Sequence, residues 1–253
     1  MELRLEGRTA LVTGANGGLG SHFARTLARA GAKVAVAARR VDSLKDVVAA
    51  ITAERGRAVP IALDVTDPAS VSRAFDDAAA ALGPVTVVVN NAGIAITKPL
   101  LEHTEEDWQQ VIEVNLNGAW RVAQAAARHM VKHAQGGSIV NIASILGLRV
   151  SAQVPSYAAS KAALIHLTKA MALELARHRI RVNALAPGYV ETGINREFFE
   201  SDAGQALVKR VPQRRIGKPE EIDGALLLLA SDAGSYITGA VLAVDGGHLV
   251  NTL

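Results

Sequence analysis

The sequence of 253 residues contains no cysteine, and only 4% of its residues are aromatic. Disulfide bonds, thiolate catalysis and cysteine-bound metals are therefore excluded. The net charge of +3 is small for this length, and no run of Lys and Arg is interleaved with aromatic residues. Nucleic-acid-binding proteins carry such basic patterns, so we expect no nucleic-acid partner.

Long apolar runs are missing as well. The longest lies near Ala225 to Ala230, far below the roughly 20 residues that cross a bilayer. Residues 1–7 carry acids where a secretory signal would be basic and then apolar. We therefore expect a cytoplasmic protein without a membrane partner, and the hydrophobic content of 49% is enough for a sizeable core.

Strand-like and helix-like segments alternate along the chain, without a linker or a repeat. The predicted strands are Thr9–Thr13, Lys33–Ala38, Ala58–Leu63, Val85–Val89, Gly137–Ala143, Ile180–Ala186 and Val241–Asp245. The predicted helices are Gly18–Ala30, a segment capped by Asp42 and ending near Glu54, Pro68–Leu82, Thr104–His133 and Pro155–Arg177. This order predicts one doubly wound, Rossmann-like α/β domain over 1–253, with a seven-stranded parallel sheet and helices on both faces. Residues 188–212 are polar and irregular, as in a substrate lid.

A glycine-rich turn, Thr13-Gly14-Ala15-Asn16-Gly17-Gly18-Leu19-Gly20, joins the first predicted strand to the first helix. Glycines let backbone N–H groups approach a pyrophosphate, and the helix N-terminus favours its charge. The spacing is Gly-x-x-x-Gly-x-Gly and differs from the Gly-x-Gly-x-x-Gly fingerprint, so a turn without a ligand is the alternative. The position directly after the first strand favours dinucleotide binding.

Tyr157 and Lys161 are one helical turn apart and share a helix face, with Ser144 at the end of the preceding strand. A Tyr-x-x-x-Lys spacing by itself is a weak signal, because ordinary composition produces it often. Further motifs follow in order along nearly the whole chain, and with them the sequence resembles a short-chain dehydrogenase/reductase. They are Leu63-Asp64-Val65, Asn90-Asn91-Ala92-Gly93, Val114-Asn115-Leu116-Asn117-Gly118 and Pro187-Gly188.

The resemblance implies that Asp64 and Val65 contact an adenine, that residues 90–93 line the cofactor channel, and that residues 187–192 hold the nicotinamide amide. The alternatives are that Asp64 caps a helix and that Asn90 fixes the end of the fourth strand. The expected cofactor residues are Gly14, Asn16, Gly18, Leu19, Gly20, Arg39, Asp64, Val65, Asn91, Ala92, Gly93, Tyr157, Lys161, Pro187, Gly188, Val190 and Thr192.

The end of the second predicted strand reads Ala38-Arg39-Arg40, and no acid follows before Asp42. An acid there would bind ribose hydroxyls, whereas an arginine pairs with a 2′-phosphate. Arg39 therefore favours NADP(H), without excluding NAD(H) or a merely solvated arginine. The glycine turn lacks the second basic residue that many NADP-preferring relatives carry.

Reduction of a ketone by hydride requires a proton for the oxygen, and Tyr157 is placed to donate it. A free phenol has a pKa of about 10, which the Lys161 ammonium and an oxidised nicotinamide would lower. The resemblance implies that Lys161 also bonds the nicotinamide ribose and that Asn115 holds a water in a proton relay. We expect Ser144 to orient the carbonyl. Ser144 as a plain strand-end hydroxyl and Asn115 as a helix-bending residue are the alternatives.

The substrate is expected to be a neutral ketone or secondary alcohol. Its pocket would be mostly apolar, with Ser144, Leu146, Val154, Tyr157 and Tyr189 as substrate residues, and Val150, Ser151 and the lid residues Gly193 to Phe199 as further walls. A 3-oxoacyl-[acyl-carrier-protein] reductase is the first alternative, with Lys132, Arg177 and Arg181 toward the acidic carrier. A catalytically silent NADP-binding sensor is the second.

The histidines are scattered along the sequence, so we expect no metal site. His129 and His133 are spaced to share a helix face, and we interpret both as solvent-facing. The resemblance also implies a homotetramer built through the two long helices and the C-terminal strand.

Overall fold

A parallel seven-stranded sheet forms the centre of the computed structural model, which describes residues 3–192 and 196–250. The strands are β1 (Thr9–Thr13), β2 (Lys33–Ala38), β3 (Arg57–Ala62), β4 (Val87–Asn90), β5 (Gly137–Ile142), β6 (Ile180–Pro187) and β7 (Val241–Val244). They lie in the order β3-β2-β1-β4-β5-β6-β7, and each neighbouring pair is parallel. The predicted doubly wound sheet is confirmed, with strand ends within two residues of those expected.

Helices cover the sheet on both faces. They are α1 (Gly18–Arg29), α2 (Lys45–Ala53), α3 (Pro68–Leu82), α4 (Glu105–Ile112), α5 (Ala119–Lys132), α6 (Pro155–Leu175), α7 (Arg196–Glu200), α8 (Asp202–Val208) and α9 (Asp223–Ala230). One apolar core joins α1, α2 and α9 to the sheet, and a second joins α3, α5 and α6 to the opposite face. Burial on both sides explains why the central strands are apolar throughout.

The chain reverses its direction of winding between β1 and β4, which are neighbours in the sheet. The Thr13 hydroxyl accepts hydrogen bonds from the backbone N–H groups of Asn91 and Ala92, both 3.0 Å long. The Asn91 amide donates to the Thr13 carbonyl at 3.0 Å. The glycine turn after β1 is thereby fixed against the segment after β4, where open α/β sheets bind their ligands.

The predicted helical region 104–133 is confirmed, and it contains a six-residue π-helical segment, Glu113–Gly118, between α4 and α5. Thr104 and Asp107 form a capping box that begins α4. Single turns of π-helix within α-helices are frequent at functional sites. Asn115 lies inside this one.

Two local expectations need correction. Asp42 does not cap a helix: the segment begins with a 3₁₀ turn, Val41–Leu44, and the Asp42 carboxylate pairs instead with Lys45 at 2.8 Å. The segment 188–212, expected to be irregular, contains the short helices α7 and α8, and the Ser201 hydroxyl caps α8 by accepting from Gly204 N. Gly193, Ile194 and Asn195 of the predicted lid lie outside the described residues.

Candidate active site

A cleft of about 760 Å³ opens at the carboxyl edge of the sheet, where β1 and β4 end. Most of the residues predicted for the cofactor and the reaction line it together. They are Gly14, Asn16, Gly18, Leu19, Gly20, Arg39, Asp64, Val65, Asn91, Ala92, Gly93, Ser144, Tyr157, Lys161, Pro187, Gly188 and Thr192. Val190 is buried in the core beside the sheet, and Asn115 lies behind the cleft wall. Gln110 of α4 also lines the cleft, and no sequence motif marked it.

The glycine turn keeps its backbone open toward this cleft. Gly14 and Gly18 have φ angles of 64° and 52°, a region that side chains disfavour. A Cβ at Gly20 would lie 2.1 Å from the Gly14 carbonyl oxygen, so only glycine lets the turn close against α1. The first turn of α1 has no acidic residue and no side-chain cap, so its N-terminus suits an anionic group.

Arg39 and Asp64 face each other across the cleft end formed by β2 and β3. Burial opposes ionisation of Asp64, but hydrogen bonds from Thr66 and the charge of Arg39 outweigh it and lower the pKa of Asp64. Both Thr66 bonds, 2.9 Å and 2.7 Å, go to the same carboxylate oxygen. Asp64 therefore holds its own turn, while Asp67 caps α3. The Arg39 guanidinium makes no hydrogen bond or ion pair with any of the described residues.

Ser144, Tyr157 and Lys161 meet at the opposite end of the cleft. Ser144 follows β5, where its hydroxyl accepts from Leu146 N at 3.1 Å and also hydrogen-bonds the Tyr157 phenol. Lys161 is 4% exposed, and its Nζ donates to the Ile142 carbonyl at 2.7 Å. The same Nζ lies 5.5 Å from the centroid of the Tyr157 ring. The predicted grouping of these three side chains is thus present in the structure.

The pKa values in this trio run against one expectation. Burial raises the pKa of Tyr157, and the hydrogen bond from Ser144 opposes that rise without overcoming it. Lys161 was expected to lower the pKa of Tyr157, but burial of the phenol prevails over the ammonium, which is bonded to the Ile142 carbonyl and lies over the ring. Burial also lowers the pKa of Lys161 to about 8.

Asn115 is fully buried and connects three elements. Its Oδ1 accepts from Ile94 N at 2.8 Å, and its Nδ2 donates to the Ile94 carbonyl at 2.9 Å and to the Ser160 hydroxyl at 3.1 Å. A Cβ placed at Gly93 would lie 3.3 Å from Asn115 Oδ1 and 3.5 Å from Lys161 Nζ. The π-helical segment therefore holds Asn115 near the Lys161 ammonium, with both groups next to Gly93.

The predicted substrate residues Leu146, Val154 and Tyr189 are half-buried, while Val150 is 84% exposed. The Tyr189 phenol is close enough to contribute to the raised pKa of Tyr157. Phe199 is buried against the Tyr189 ring, with centroids 5.8 Å apart, whereas Phe198 is half exposed. Beyond Tyr189 lie Arg149, Arg210 and His248, which sequence reasoning missed although Arg149 directly precedes the predicted wall residue Val150.

The expectation for His129 is wrong. Its side chain is buried, and its Nε2 accepts a hydrogen bond of 3.0 Å from Val85 N. Of these two histidines, His133 alone is exposed to solvent, and its ring centroid lies 4.5 Å from that of His129. Within residues 3–192 and 196–250, no three metal-binding side chains are grouped as an ion would require.

Comparison with known proteins identifies the family to which this chain is similar. A family model described as enoyl-(acyl carrier protein) reductase matches residues 14–248. The 3-oxoacyl-[acyl-carrier-protein] reductase of Thermotoga maritima is 40% identical over 98% of this chain and 100% of its own. A solved short-chain type dehydrogenase/reductase from Mycobacterium marinum is 43% identical, with a TM-score of 0.92 over 98% of this chain and 97% of its own. A gluconate 5-dehydrogenase from Burkholderia cenocepacia, solved with NADP and tartrate, is 38% identical, with a TM-score of 0.94 over 99% and 98%.

Fold and cleft thus define an oxidoreductase that acts on CH–OH and C=O groups with a nicotinamide cofactor. The chain belongs to the short-chain dehydrogenase/reductase family, as its sequence motifs predicted. None of the helices in the described ranges has the length and apolar character needed to span a membrane.

Proposed function

We propose that this enzyme is an NADP(H)-dependent reductase of ketones, reversible toward secondary alcohols, in which Tyr157 is the general acid. The observation that carries the proposal is one cleft lined by Ser144, Tyr157 and Lys161 at one end and by the glycine turn and Arg39 at the other. Proton donation and dinucleotide binding are thereby brought together within a single site.

The residues present fit a dinucleotide. The glycine turn offers backbone N–H groups where a Cβ at Gly18 would meet nothing within 4 Å. The residues that would hold the cofactor are those of the glycine turn, Arg39, Asp64, Val65, residues 91–93, Lys161 and residues 187–192. When bound, the nicotinamide supplies a hydride to the carbonyl carbon or accepts one from the alcohol.

Side chains of the protein orient the carbonyl and transfer the proton. Ser144 donates a hydrogen bond to the carbonyl oxygen and fixes its direction, and Tyr157 delivers a proton as negative charge develops there. The Lys161 ammonium, 5.5 Å from the Tyr157 ring, favours the phenolate that remains. In the oxidation direction the Tyr157 phenolate removes the alcohol proton. Asn115 acts as a positioning residue through the Ile94 backbone and, as the family implies, as a water-holding group of the relay.

The preference for NADP(H) rests on Arg39. Its guanidinium is exposed at the end of β2, lines the cleft and has no hydrogen-bonding partner among the described residues. A charge-assisted bond to a 2′-phosphate is among the stronger polar contacts. The gluconate 5-dehydrogenase relative that was solved with NADP is consistent with this preference.

A 3-oxoacyl-[acyl-carrier-protein] reductase is the second candidate, because the Thermotoga maritima relative has that activity in its name. Of the basic residues considered for carrier binding, Arg181 is unsuited, since its guanidinium donates to the Ser231 carbonyl at 2.9 Å. Lys132 and Arg177 are exposed. A silent NADP-binding sensor is disfavoured because Ser144, Tyr157 and Lys161 all line the cleft.

We further propose a cytoplasmic homotetramer. Its support is apolar surface on the two long helices: Trp120 and Val131 of α5 are 42% and 44% exposed, and Leu173 of α6 is 83% exposed. Two helices that present such groups together offer an interface between copies. Light scattering that gives the mass of a monomer would contradict this assembly.

A carbonyl panel with both cofactors tests the enzymatic proposal. Simple ketones, oxo acid esters and an acetoacetyl thioester are reduced with NADPH and with NADH, and kcat/KM is measured for each. We expect ketone reduction with a clear NADPH preference. A strong preference for the thioester over every free ketone would favour the carrier-protein activity, and NADPH binding without any turnover would favour the silent sensor.

A further inference from the structure

A cluster of two arginines, Arg149 and Arg210, lies near His248 and near Tyr189, the residue that follows Gly188 of the cleft. The Arg149 guanidinium donates a hydrogen bond to the His248 carbonyl oxygen. The Tyr189 ring packs against the His248 ring, with centroids 5.4 Å apart and the ring planes tilted by 39°. Burial raises the pKa of Tyr189, and the charges of Arg149 and Arg210 oppose that rise, so both arginines lie within electrostatic reach of the phenol.

The Arg149 guanidinium uses only part of its hydrogen-bonding capacity within the described residues. Arg149 is half-buried, and the bond to His248 is the single hydrogen bond of its guanidinium among the described residues, which leaves further N–H donors of its fork unused. The nearby carboxylate, Asp245, is already engaged by Gly247 N at 2.9 Å and Leu249 N at 2.7 Å. His248 is 6% exposed, and within residues 3–192 and 196–250 its Nδ1 has no hydrogen-bond partner.

This cluster is connected to the reacting group through Tyr189. The Tyr189 phenol contributes to the raised pKa of Tyr157. The ring of Tyr189 contacts the His248 ring, and the His248 carbonyl oxygen accepts the hydrogen bond from Arg149. A small substrate whose carbonyl lies at Tyr157 and whose other end lies beside Tyr189 would bring that end toward Arg149. A half-buried arginine fork without a carboxylate partner is suited to bidentate binding of one.

We propose that the substrate is an oxo acid or hydroxy acid and that Arg149 binds its carboxylate. This inference rests on the proposed function for the reaction itself. It replaces the expected neutral ketone, which followed from a pocket thought to have few charges. The alternative role for Arg149 is purely structural: to hold the C-terminal turn through the His248 carbonyl.

Matched pairs of acid and ester separate the two roles. The probes are 3-oxobutanoate, 4-oxopentanoate and 5-oxohexanoate, each compared with its methyl ester, which keeps the ketone and removes the charge. Both members are assayed with NADPH on the wild-type protein and on Arg149→Gln, Arg149→Lys and Arg73→Gln. Arg73 is an exposed arginine of α3 outside the cleft and serves as the control.

We expect the wild type to prefer at least one acid over its ester, and Arg149→Gln to reduce kcat/KM for that acid by roughly 10- to 150-fold. The loss should lie mainly in KM, the ester should change by less than about threefold, and Arg149→Lys should recover part of the loss. Equal losses for acid and ester would mean that Arg149 only holds the turn and would overturn the proposal, as would a wild type that prefers every ester.

Calorimetric titration of the same acids into the protein with NADP⁺ gives a second readout that does not need turnover. Binding that weakens in Arg149→Gln and not in Arg73→Gln supports the carboxylate site. If neither acids nor esters are reduced and yet this Arg149-dependent binding is present, the proposed reaction fails while the anion site stands. If the esters are reduced and no acid binds, the reaction stands and the anion site is wrong.

Discussion

The Nζ atom of Lys161 lies 5.5 Å from the centroid of the Tyr157 ring and is hydrogen-bonded to the carbonyl oxygen of Ile142 at the end of β5. The helical spacing brings the two side chains together, and the strand end fixes the ammonium. Burial lowers the pKa of Lys161 to about 8 and raises the pKa of Tyr157. The phenol therefore remains a proton donor over the whole range in which Lys161 titrates.

The rate of carbonyl reduction should consequently fall as the pH rises through about 8. Below that value Lys161 is charged and stabilises the phenolate left by proton donation, whereas above it the ammonium loses its proton and that stabilisation disappears. Measurement of kcat between pH 6 and pH 10 checks this expectation. Lys161→Arg keeps its charge and should remove the fall from this range, even if its rate is lower throughout. A wild-type profile that is level to pH 10 would contradict the role of Lys161.

Tyr157→Phe removes the phenolic proton and keeps the ring. We expect kcat to drop by roughly 100- to 10,000-fold, the range of a general acid, while NADPH still binds. Fluorescence titration of NADPH separates loss of chemistry from loss of binding. The control is Tyr236→Phe, because Tyr236 is fully exposed and outside the cleft. Substantial turnover in Tyr157→Phe would refute the assignment.

Arg39 and Arg40 are adjacent and both exposed, but only Arg39 lines the cleft. Arg39→Ala should lower kcat/KM for NADPH by roughly 10- to 150-fold, because a charge-assisted contact to the 2′-phosphate is lost. The value for NADH should change little, since NADH has no such phosphate. Arg40→Ala should leave both values near those of the wild type. Similar losses with both cofactors in Arg39→Ala would show that Arg39 does not distinguish between them.

The parts of this molecule that follow from local pattern were predictable from the sequence. Apolar runs gave the strands, and the i,i+4 spacing put Tyr157 and Lys161 on one face of α6. What required the structure depends on contacts between distant segments. His129 accepts from Val85, 44 residues away, and Arg149 bonds the His248 carbonyl 99 residues on, and no pattern encodes either pairing. The π-helical segment at 113–118 has the same helical signature in sequence as its neighbours, so it too escaped prediction.

Gly20 is the glycine of the turn with the least space for a side chain, since a Cβ there would lie 2.1 Å from the Gly14 carbonyl oxygen. Gly20→Ala must therefore displace backbone, and we expect a loss of about 3 kcal/mol in the free energy of unfolding, together with weaker NADPH binding. Gly224→Ala is the control, because Gly224 is exposed in α9 and a Cβ there meets nothing within 4 Å. That change should stabilise by about 0.5–1 kcal/mol. Urea unfolding measures both, and equal stability of the two variants would contradict this account of Gly20.

His129 should make the stability of the protein depend on pH. Burial lowers the pKa of His129, helped by the nearby charges of His133 and Lys132 and opposed by Asp76, and the neutral ring accepts the bond from Val85 N. Because the folded-state pKa lies below the unfolded value of about 6.5, the unfolded chain binds the proton first as the pH falls. The stabilisation is therefore complete above about pH 6.5 and declines below it, by up to about 1.4 kcal/mol per pH unit until the folded ring also protonates.

Chemical unfolding at pH 8, 7, 6 and 5 measures this dependence. His129→Gln replaces the ring with an acceptor that does not titrate, so the variant should be less stable at pH 8 and lose less stability between pH 7 and pH 5. His166→Gln is the matched control, because His166 is exposed on α6 and should leave the slope unchanged. If wild type and His129→Gln lose stability in parallel as the pH falls, the dependence arises from other groups and the buried His129 bond is not its source.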